Sequence, residues 1–228
     1  MKTLVCGTEE LFSRLASEIA VFISDKPDCV LALAYDGTLS AVYRNLLELY
    51  ENNNFSLRET KVFTAAEFEE KTLIRDRLFE EFLSKTDLKP ENFFNPDCGS
   101  TEDYDGLINA AGGIDLAVLN LGYKGQFGFN EPATQYSSLS HRQKLTESSR
   151  REFSALYPDE ELPEYGCTMG IKTIVTAKNI FIAASGEEKA DAVFDMLYGR
   201  DDSTVPAAFL QLPLNVTVYA DPAAASKL

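Results

Sequence analysis

Histidine is almost absent from this sequence, since His141 is the only one in 228 residues. A catalytic zinc site usually takes several histidine ligands, and a Ser-His-Asp triad needs a histidine with defined partners. His141 lies in the serine-rich segment SSLSHRQK, and we interpret it as an exposed loop residue. The scarcity of histidine argues against a resident metal, and the sequence calls for no cofactor.

Cysteine is also scarce, with four widely spaced residues at Cys6, Cys29, Cys98 and Cys167. No CxxC pair occurs, so the spacing favours neither a zinc site nor thioredoxin-type chemistry. Reduced thiols in a cytoplasmic protein fit this pattern best.

Positive charge and long apolar runs are missing as well. The chain has 36 acidic and 21 basic residues, for a net charge of −15. Because such a field repels a phosphate backbone, we exclude nucleic acid as a partner. No stretch of 18 apolar residues occurs, and the N-terminal MKTLVCGTEELFSR lacks the apolar segment of a signal peptide. We therefore expect a soluble, cytoplasmic protein with no membrane partner.

The sequence does contain an alternation of strand-length apolar runs and amphipathic helices. The predicted strands are CVLALA (29–34), KVFTAAEF (61–68), IDLAVLNLG (114–122), IFIAASG (180–186) and NVTVYA (215–220). The predicted helices cover 8–25, 41–50, 72–85, 101–113 with Gly112-Gly113 as the stop, and 187–199, and MGIKTIVTAKN (169–179) is predicted to form a turn of helix. Strands that alternate with helices build parallel sheets. We predict an α/β fold with a mainly parallel sheet and helices on both faces, in a single domain over residues 1–228.

Three loops are expected at the carboxyl edge of this sheet, where open α/β sheets bind their ligands. They are YDGTLS (35–40), the segment that follows Glu67, and GYKGQFGFNEP (122–132). Gly37 and Thr38 stand at a helix N-terminus, where backbone N–H groups and the helix dipole favour an anion such as phosphate. A plain strand-to-helix turn would give the same local pattern.

Several segments together resemble a known family. They are GFNEP (128–132), KLTESSR (144–150), TMGIKTIVTAKNIFIAASGEEKADAV (168–193) and VPAAFLQL (205–212). In this order and spacing they resemble the glucosamine-6-phosphate and galactosamine-6-phosphate deaminase (isomerase) family of amino-sugar metabolism. The resemblance implies a modified Rossmann-like fold and, as the small-molecule partner, a hexose or hexosamine 6-phosphate. A homo-oligomer is possible.

The resemblance assigns phosphate contacts to particular residues. Lys189 would pair with the phosphate beside Gly37 and Thr38, and Arg142 and Lys172 are possible additions. Asp36, within the same loop, is an unfavourable neighbour for a phosphate dianion.

The same resemblance indicates that the usual acid–base residues have been replaced. Ala66 stands where the family has its proton-transferring aspartate, and Gln126 stands where it has its ring-opening histidine. Lys124 takes the place of an acidic or amide residue, whereas Glu131 is kept. Glu67 adjoins Ala66, but neighbouring residues of a strand point to opposite faces. The catalytic candidates are therefore Glu131, Gln126 and Lys124.

Three functional hypotheses follow from these residues. The first is a deaminase or isomerase of the family with altered residues, in which a desolvated Lys124 could act as a base; a solvated loop lysine is the simpler interpretation. The second is a catalytically inactive sugar-phosphate sensor. The third is a 6-phosphogluconolactonase-like hydrolase, against which the missing loop histidine argues. The sequence does not decide whether the protein is an enzyme.

Overall fold

The computed structural model describes residues 1–200 and 204–228. These residues form one large and one small β-sheet. The strands are β1 (Lys2–Val5), β2 (Val30–Leu33), β3 (Lys61–Thr64), β4 (Ala66–Phe68), β5 (Phe93–Phe94), β6 (Leu116–Asn120), β7 (His141–Lys144), β8 (Tyr165–Thr168), β9 (Ile180–Ala184) and β10 (Val216–Ala220).

The large sheet is parallel throughout and has the strand order β1-β10-β9-β6-β2-β3-β5. Its central strands are continuous apolar runs, and all four residues of β2 are buried. A strand that is apolar on both sides needs cover on both faces of the sheet, which the crossover helices supply. The prediction of a mainly parallel α/β fold is confirmed.

Most helices follow the predicted alternation, but the helix over Glu147–Ser154 is not among those predicted. The helices are α1 (Thr8–Asp25), α2 (Gly37–Glu51), α3 (Leu73–Glu81), α4 (Thr101–Ala110), α5 (Glu147–Ser154), α6 (Ile171–Val175) and α7 (Ala190–Tyr198). Leu11, Leu15 and Ile19 form the buried stripe of α1, at the spacing of one helix face. Among the described residues, no helix has the length and apolar character needed to span a bilayer.

The predicted strand 61–68 is in fact two strands that belong to different sheets. β3 ends at Thr64, and β4 pairs antiparallel with β8 in the small sheet, with Ala66 opposite Thr168. The break falls at Ala65, whose N–H donates to the Leu33 carbonyl at 2.8 Å while its own carbonyl accepts from the Met169 N–H at 2.8 Å. An apolar run alone does not show this change of partner. The break places Ala66 at the carboxyl edge of the large sheet.

The interpretation of His141 as an exposed loop residue is wrong. His141 begins strand β7 and is half-buried opposite Thr168. Its Nδ1 lies 2.8 Å from the Leu139 carbonyl oxygen. The strand sequence HRQK contains no apolar residue because β7 is at an edge of the small sheet, and so the alternation that marks a strand is missing.

Candidate ligand site at the carboxyl edge of the sheet

The loops that follow β2, β3, β6 and β9 meet at one edge, because the carboxyl ends of parallel strands lie on the same side of a sheet. The small cavity between them is lined by Ala34, Tyr35, Ala66, Ile74, Asn120, Gly128, Phe129 and Phe153. Its volume is about 10 Å³, which is roughly the space that one water molecule requires. The predicted loops are thus brought together, but the space between them is nearly filled.

The loop GYKGQFGFNEP is held in a tight turn by its own backbone. The Gly122 N–H donates to the Gln126 carbonyl at 2.8 Å, and the Gly125 N–H donates to the Gly122 carbonyl at 3.0 Å. Gly125 has a φ of 72°, and a Cβ at this position would lie 2.5 Å from Cγ1 of Val205. Only glycine meets both the backbone angle and the close approach.

Gln126 is buried, and both the nitrogen and the oxygen of its amide form hydrogen bonds within the protein. Its Nε2 donates to Oε2 of Glu131 at 3.3 Å and to Oγ of Ser149 at 3.1 Å. Its Oε1 accepts from the backbone N–H of Lys124 at 2.8 Å. An amide can donate and accept hydrogen bonds but has no proton that titrates. Gln126, at the position where the resemblance puts a histidine, is therefore held in place by hydrogen bonds and cannot transfer a proton.

Glu131, in the same loop, forms hydrogen bonds with the N-terminus of helix α5. It is 2% exposed, and its Oε1 accepts from the Thr146 N–H at 3.0 Å. Thr146 is the N-cap of α5, with its hydroxyl accepting from the Ser149 N–H. A carboxylate at a helix N-terminus is stabilised by the unpaired N–H groups and the helix dipole there. The observed contacts of Glu131 are consequently structural.

The carboxyl group of Glu67 faces helix α3. It accepts from the backbone N–H groups of Phe68 at 2.8 Å, Ile74 at 3.2 Å and Arg75 at 2.9 Å. Burial raises the pKa of Glu67 to about 7, against the lowering effect of these three donors. The side chain therefore caps α3, while its neighbour Ala66 lines the cavity.

Lys189 lies at the predicted edge, where one carboxyl group pairs with it and a second is influenced by its charge. Its Nζ forms an ion pair with Oε1 of Glu152 on α5, and its charge also acts on Asp36. Asp36 is the N-cap of α2 and accepts from the Leu39 N–H at 2.8 Å. Burial raises the pKa of Asp36, and the Leu39 donor, Lys189 and a hydrogen bond with Asn120 act against this rise.

An aromatic ring also lies close to the Lys189 ammonium. Nζ lies 4.0 Å from the centroid of Tyr123, a separation typical of a cation–π contact. The Lys189 side chain is 6% exposed and that of Glu152 is 17% exposed. We call the group of Asp36, Tyr123, Glu152 and Lys189 the Lys189 subsite.

An aromatic cluster of Phe68, Phe129, Phe153 and Tyr157 fills the space beside Ala66. Phe153, from α5, makes edge-on contacts with Phe68 at 5.5 Å and with Phe129 at 5.3 Å between ring centroids. Tyr157 packs edge-on against Phe68 at 6.1 Å. Helix α5 thus lies over the cavity, attached by the aromatic cluster on one side and by Glu131 at its N-terminus.

The other residues predicted to bind the ligand or to act in catalysis lie in different parts of the molecule. Arg142 pairs with Glu69 through two contacts, at 2.5 and 2.8 Å, and lies over the Tyr165 ring in the small sheet. Lys172 is exposed and lines a separate cavity with residues that precede β6 and β9, at the amino edge of the sheet. Lys124 is exposed on the loop. The structure brings Gly37, Thr38 and Lys189 to one edge and leaves Lys172 at the other.

Glu152, the ion-pair partner of Lys189, is the residue of the candidate site that the sequence does not reveal. Helix α5 buries only Ser149, so its sequence has no apolar stripe that would have oriented it, and nothing in ESSRREFS distinguishes one glutamate from the other. Among residues 1–200 and 204–228, no group of three or more histidine, cysteine, aspartate or glutamate side chains is arranged to hold a metal ion.

Known proteins resemble this chain over its full length. No family model matches it. It is 36% identical to the glucosamine-6-phosphate deaminase of Clostridioides difficile (strain 630), over 100% of this chain and 97% of that protein. It is also 36% identical to the glucosamine-6-phosphate deaminase of Bacillus velezensis, over 99% of both chains.

Solved structures share the architecture. A monomeric glucosamine-6-phosphate deaminase matches with a TM-score of 0.95 and 32% identity, over 100% of both chains. The 6-phosphogluconolactonase from Trypanosoma brucei matches with a TM-score of 0.80 and 19% identity, over 100% of this chain and 98% of that one, and shares the fold.

Proposed function

Since the chain belongs to the glucosamine-6-phosphate deaminase family, as its sequence motifs predict, we propose that it binds a hexose or hexosamine ligand at the carboxyl edge of its sheet without deaminating it. Its role would then be that of a binding or sensing protein in carbohydrate metabolism. The homo-oligomer suggested from the sequence stays a prediction, and the structural relative is described as monomeric.

The main support for this proposal is that Gln126 has no titratable proton and is held by hydrogen bonds to its neighbours. General acid–base catalysis needs a group that exchanges a proton with the substrate near neutral pH. Gln126 has no such proton, and its amide already bonds Glu131, Ser149 and the Lys124 backbone. Its neighbour Glu131 is engaged with Thr146. This part of the loop supports recognition of a hydroxyl group better than proton transfer.

The position of Ala66 supports the same proposal. A methyl group lines the cavity at the place where the resemblance puts a carboxylate base. Glu67, the adjacent carboxyl group, is bound to three backbone N–H groups of the β4–α3 connection. Using Glu67 as the base would break these bonds and rotate the strand residue to the other face.

The structure gives no support to the two enzymatic alternatives, a deaminase that uses Lys124 as its base and a lactone hydrolase. Lys124 is exposed, whereas a lysine becomes a useful base or Schiff-base former when it is desolvated. A lactone hydrolase needs a general base to activate water, and the loop offers the amide of Gln126 in that place. Neither observation favours an active enzyme.

Ligand entry would require helix α5 to move. Small-molecule sites usually have volumes of about 300–1,000 Å³, whereas the cavity beside Ala66 has about 10 Å³. Displacing Phe153 from the aromatic cluster would open this space. We therefore propose that ligand binding and displacement of α5 occur together.

The test is release of ammonia from glucosamine 6-phosphate by the purified protein, compared with a background without protein. We expect no release above this background. The control is the double variant Ala66→Asp, Gln126→His, which supplies a carboxyl group and an imidazole at the two positions. Ready turnover by the unaltered protein would refute the proposal and would point to Glu67, Glu131 or Lys124 as the base.

A further inference from the structure

Two cysteines that lie far apart in the sequence, Cys98 and Cys167, line one cavity of the folded chain. The cavity has a volume of about 310 Å³ and lies between the connection that follows β4 and the connection that follows β5. Both thiols are free. The fold thus brings together two thiol groups for which the sequence gives no pairing motif.

Cys167 is held in the central strand of the small sheet. Strand β8 pairs with β4 on one side and with β7 on the other, and Cys167 stands opposite Glu67. The Cys167 Sγ lies 3.5 Å from the carbonyl oxygens of Glu67 and of Pro96. Because Pro96 is two residues before Cys98, this second contact places the Cys167 thiol beside the turn that carries Cys98.

The two thiols also contact each other, and they differ in exposure. The Cys98 thiol forms a hydrogen bond with the Cys167 thiol. This bond and burial raise the pKa of Cys167 above its ordinary value, so the Cys167 thiol stays protonated at neutral pH. Cys98 is half-buried, whereas Cys167 is 1% exposed. An oxidant from solvent therefore reaches Cys98 first, and Cys167 is placed to react second.

The turn that carries Cys98 is short, and most of it is exposed. The Asp97 side chain accepts from the Gly99 N–H at 2.9 Å, and the Asp97 carbonyl accepts from the Ser100 N–H at 3.1 Å. These three residues are exposed, so little packing opposes a small shift of the turn. A disulfide needs Cα atoms that are about 4.4–6.8 Å apart and a defined torsion about the S–S bond. An exposed turn that faces a fixed strand can reach this geometry by moving only one of the two partners.

We infer that Cys98 and Cys167 form a redox modification site, at which hydrogen peroxide converts the two free thiols into a reversible disulfide. In the first step the Cys98 sulfur attacks one peroxide oxygen, the O–O bond breaks, and a sulfenic acid and one water molecule form. In the second step the Cys167 sulfur attacks the sulfenic sulfur. The S–O bond breaks as the S–S bond forms, and the hydroxyl group leaves as water with the Cys167 proton. Two sulfur atoms are oxidised and two peroxide oxygens are reduced, and a dithiol reductant reverses the reaction by exchange.

The other two cysteines serve as internal controls. Cys6 is half-buried, like Cys98, but it follows β1, at the opposite edge of the large sheet from β5. Cys29 is buried directly before β2, and burial raises the pKa of its thiol to about 11. Cys6 therefore tests the effect of exposure alone, and Cys29 tests the effect of burial alone.

The experiment treats the reduced protein with an equimolar amount of hydrogen peroxide and then unfolds it in N-ethylmaleimide, which blocks the remaining thiols. Peptides are mapped by mass spectrometry without reduction. We expect a linked pair of peptides that contain Cys98 and Cys167, lighter by two hydrogens than the two reduced peptides together, with Cys6 and Cys29 blocked. Dithiothreitol should restore both thiols. Cys98→Ser should abolish the link, and Cys6→Ser, the matched control, should leave it unchanged.

Thermal unfolding shows whether the bond forms within the native fold. A disulfide between distant residues restricts the unfolded chain, so the oxidised protein should unfold at a midpoint roughly 5–10 °C above that of the reduced protein. Peroxide should not raise the midpoint of Cys98→Ser.

Three results would overturn the inference. They are a Cys98 sulfenic or sulfinic acid beside a Cys167 that remains a thiol, a link from either residue to Cys6 or Cys29, and an oxidised protein whose midpoint does not rise. None of these results depends on ammonia release, so the inference and the proposed function succeed or fail separately.

Discussion

The buried carboxyl group of Glu67 makes the free energy of unfolding depend on pH. Burial raises its pKa to about 7 from the ordinary value of 4.5. Between these two pH values the folded chain keeps the proton and the unfolded chain has lost it. The free energy of unfolding therefore falls as the pH rises through this window, by about 3 kcal/mol over the full difference.

We predict that Glu67→Gln removes this decrease, because glutamine does not titrate. Urea denaturation at pH 4.5 and at pH 7 measures the effect. From the lower to the higher pH, the wild type should lose about 2–3 kcal/mol of unfolding free energy relative to the variant. Glu147→Gln, on the exposed face of α5, is the matched control and should follow the wild type. Parallel curves for wild type and Glu67→Gln would show that the Glu67 carboxyl group has an ordinary pKa.

The sequence places individual residues of the candidate site along the chain where a motif fixes their order, and their roles stay predictions. The segments GFNEP and SGEEK place Glu131 and Lys189 by sequence order, and Gln126 follows from the spacing within the loop. Glu152 was not predictable, because the partner of Lys189 comes from a helix 37 residues away in sequence that carries no apolar pattern. The charge balance of the subsite is thus a consequence of tertiary packing.

Helix α5 contributes Phe153 to the lining of the cavity beside Ala66, and this ring makes the aromatic contacts of the helix. The ring packs edge-on against both Phe68 and Phe129, although it is only half-buried. Removing it opens a space beside Ala66 and weakens the attachment of the helix. The cost should be lower than that of deleting a fully buried phenylalanine.

We predict that Phe153→Ala lowers the free energy of unfolding by about 1–3 kcal/mol and increases amide hydrogen exchange in α5 relative to α2. Phe194→Ala is the control, because Phe194 is 41% exposed and its ring contacts Tyr198 near the surface. That variant should change stability by much less and leave exchange in α5 unaltered. Equal exchange in α5 for both variants would show that Phe153 does not hold the helix.

Elements with a strong apolar pattern were predicted well, and those without one were missed. Strands β2, β6, β9 and β10 lie inside the predicted runs because each is buried in the central sheet. The edge strand β7 (HRQK) and helix α5 (ESSRREFS) contain little that packs in the core. Their positions are set by partners distant in sequence, such as Thr168 and Glu131.

At the scale of the whole molecule, the two sheets are expected to unfold together. Only Ala65 separates β3 from β4, and the ring of Phe68 in the small sheet lies 5.1 Å from that of Phe129 in the loop GYKGQFGFNEP. We predict one cooperative transition in differential scanning calorimetry, with equal calorimetric and van't Hoff enthalpies. This outcome would support the single domain predicted over residues 1–228. Two transitions would show that the small sheet and its neighbours form a separate unit.

The central proposal is that this family fold keeps a ligand edge and binds a sugar there without transferring a proton, because Ala66 and Gln126 stand where the resemblance puts acid–base groups. Exchange of the sugar C2 proton with solvent tests it most directly, since this exchange requires a base beside the carbon and none of the later steps of deamination. Glucosamine and glucosamine 6-phosphate are incubated with the protein in D₂O and followed by proton NMR. We predict no loss of the C2 signal beyond the rate without protein. Protein-dependent loss of the signal that saturates with sugar concentration would contradict the account.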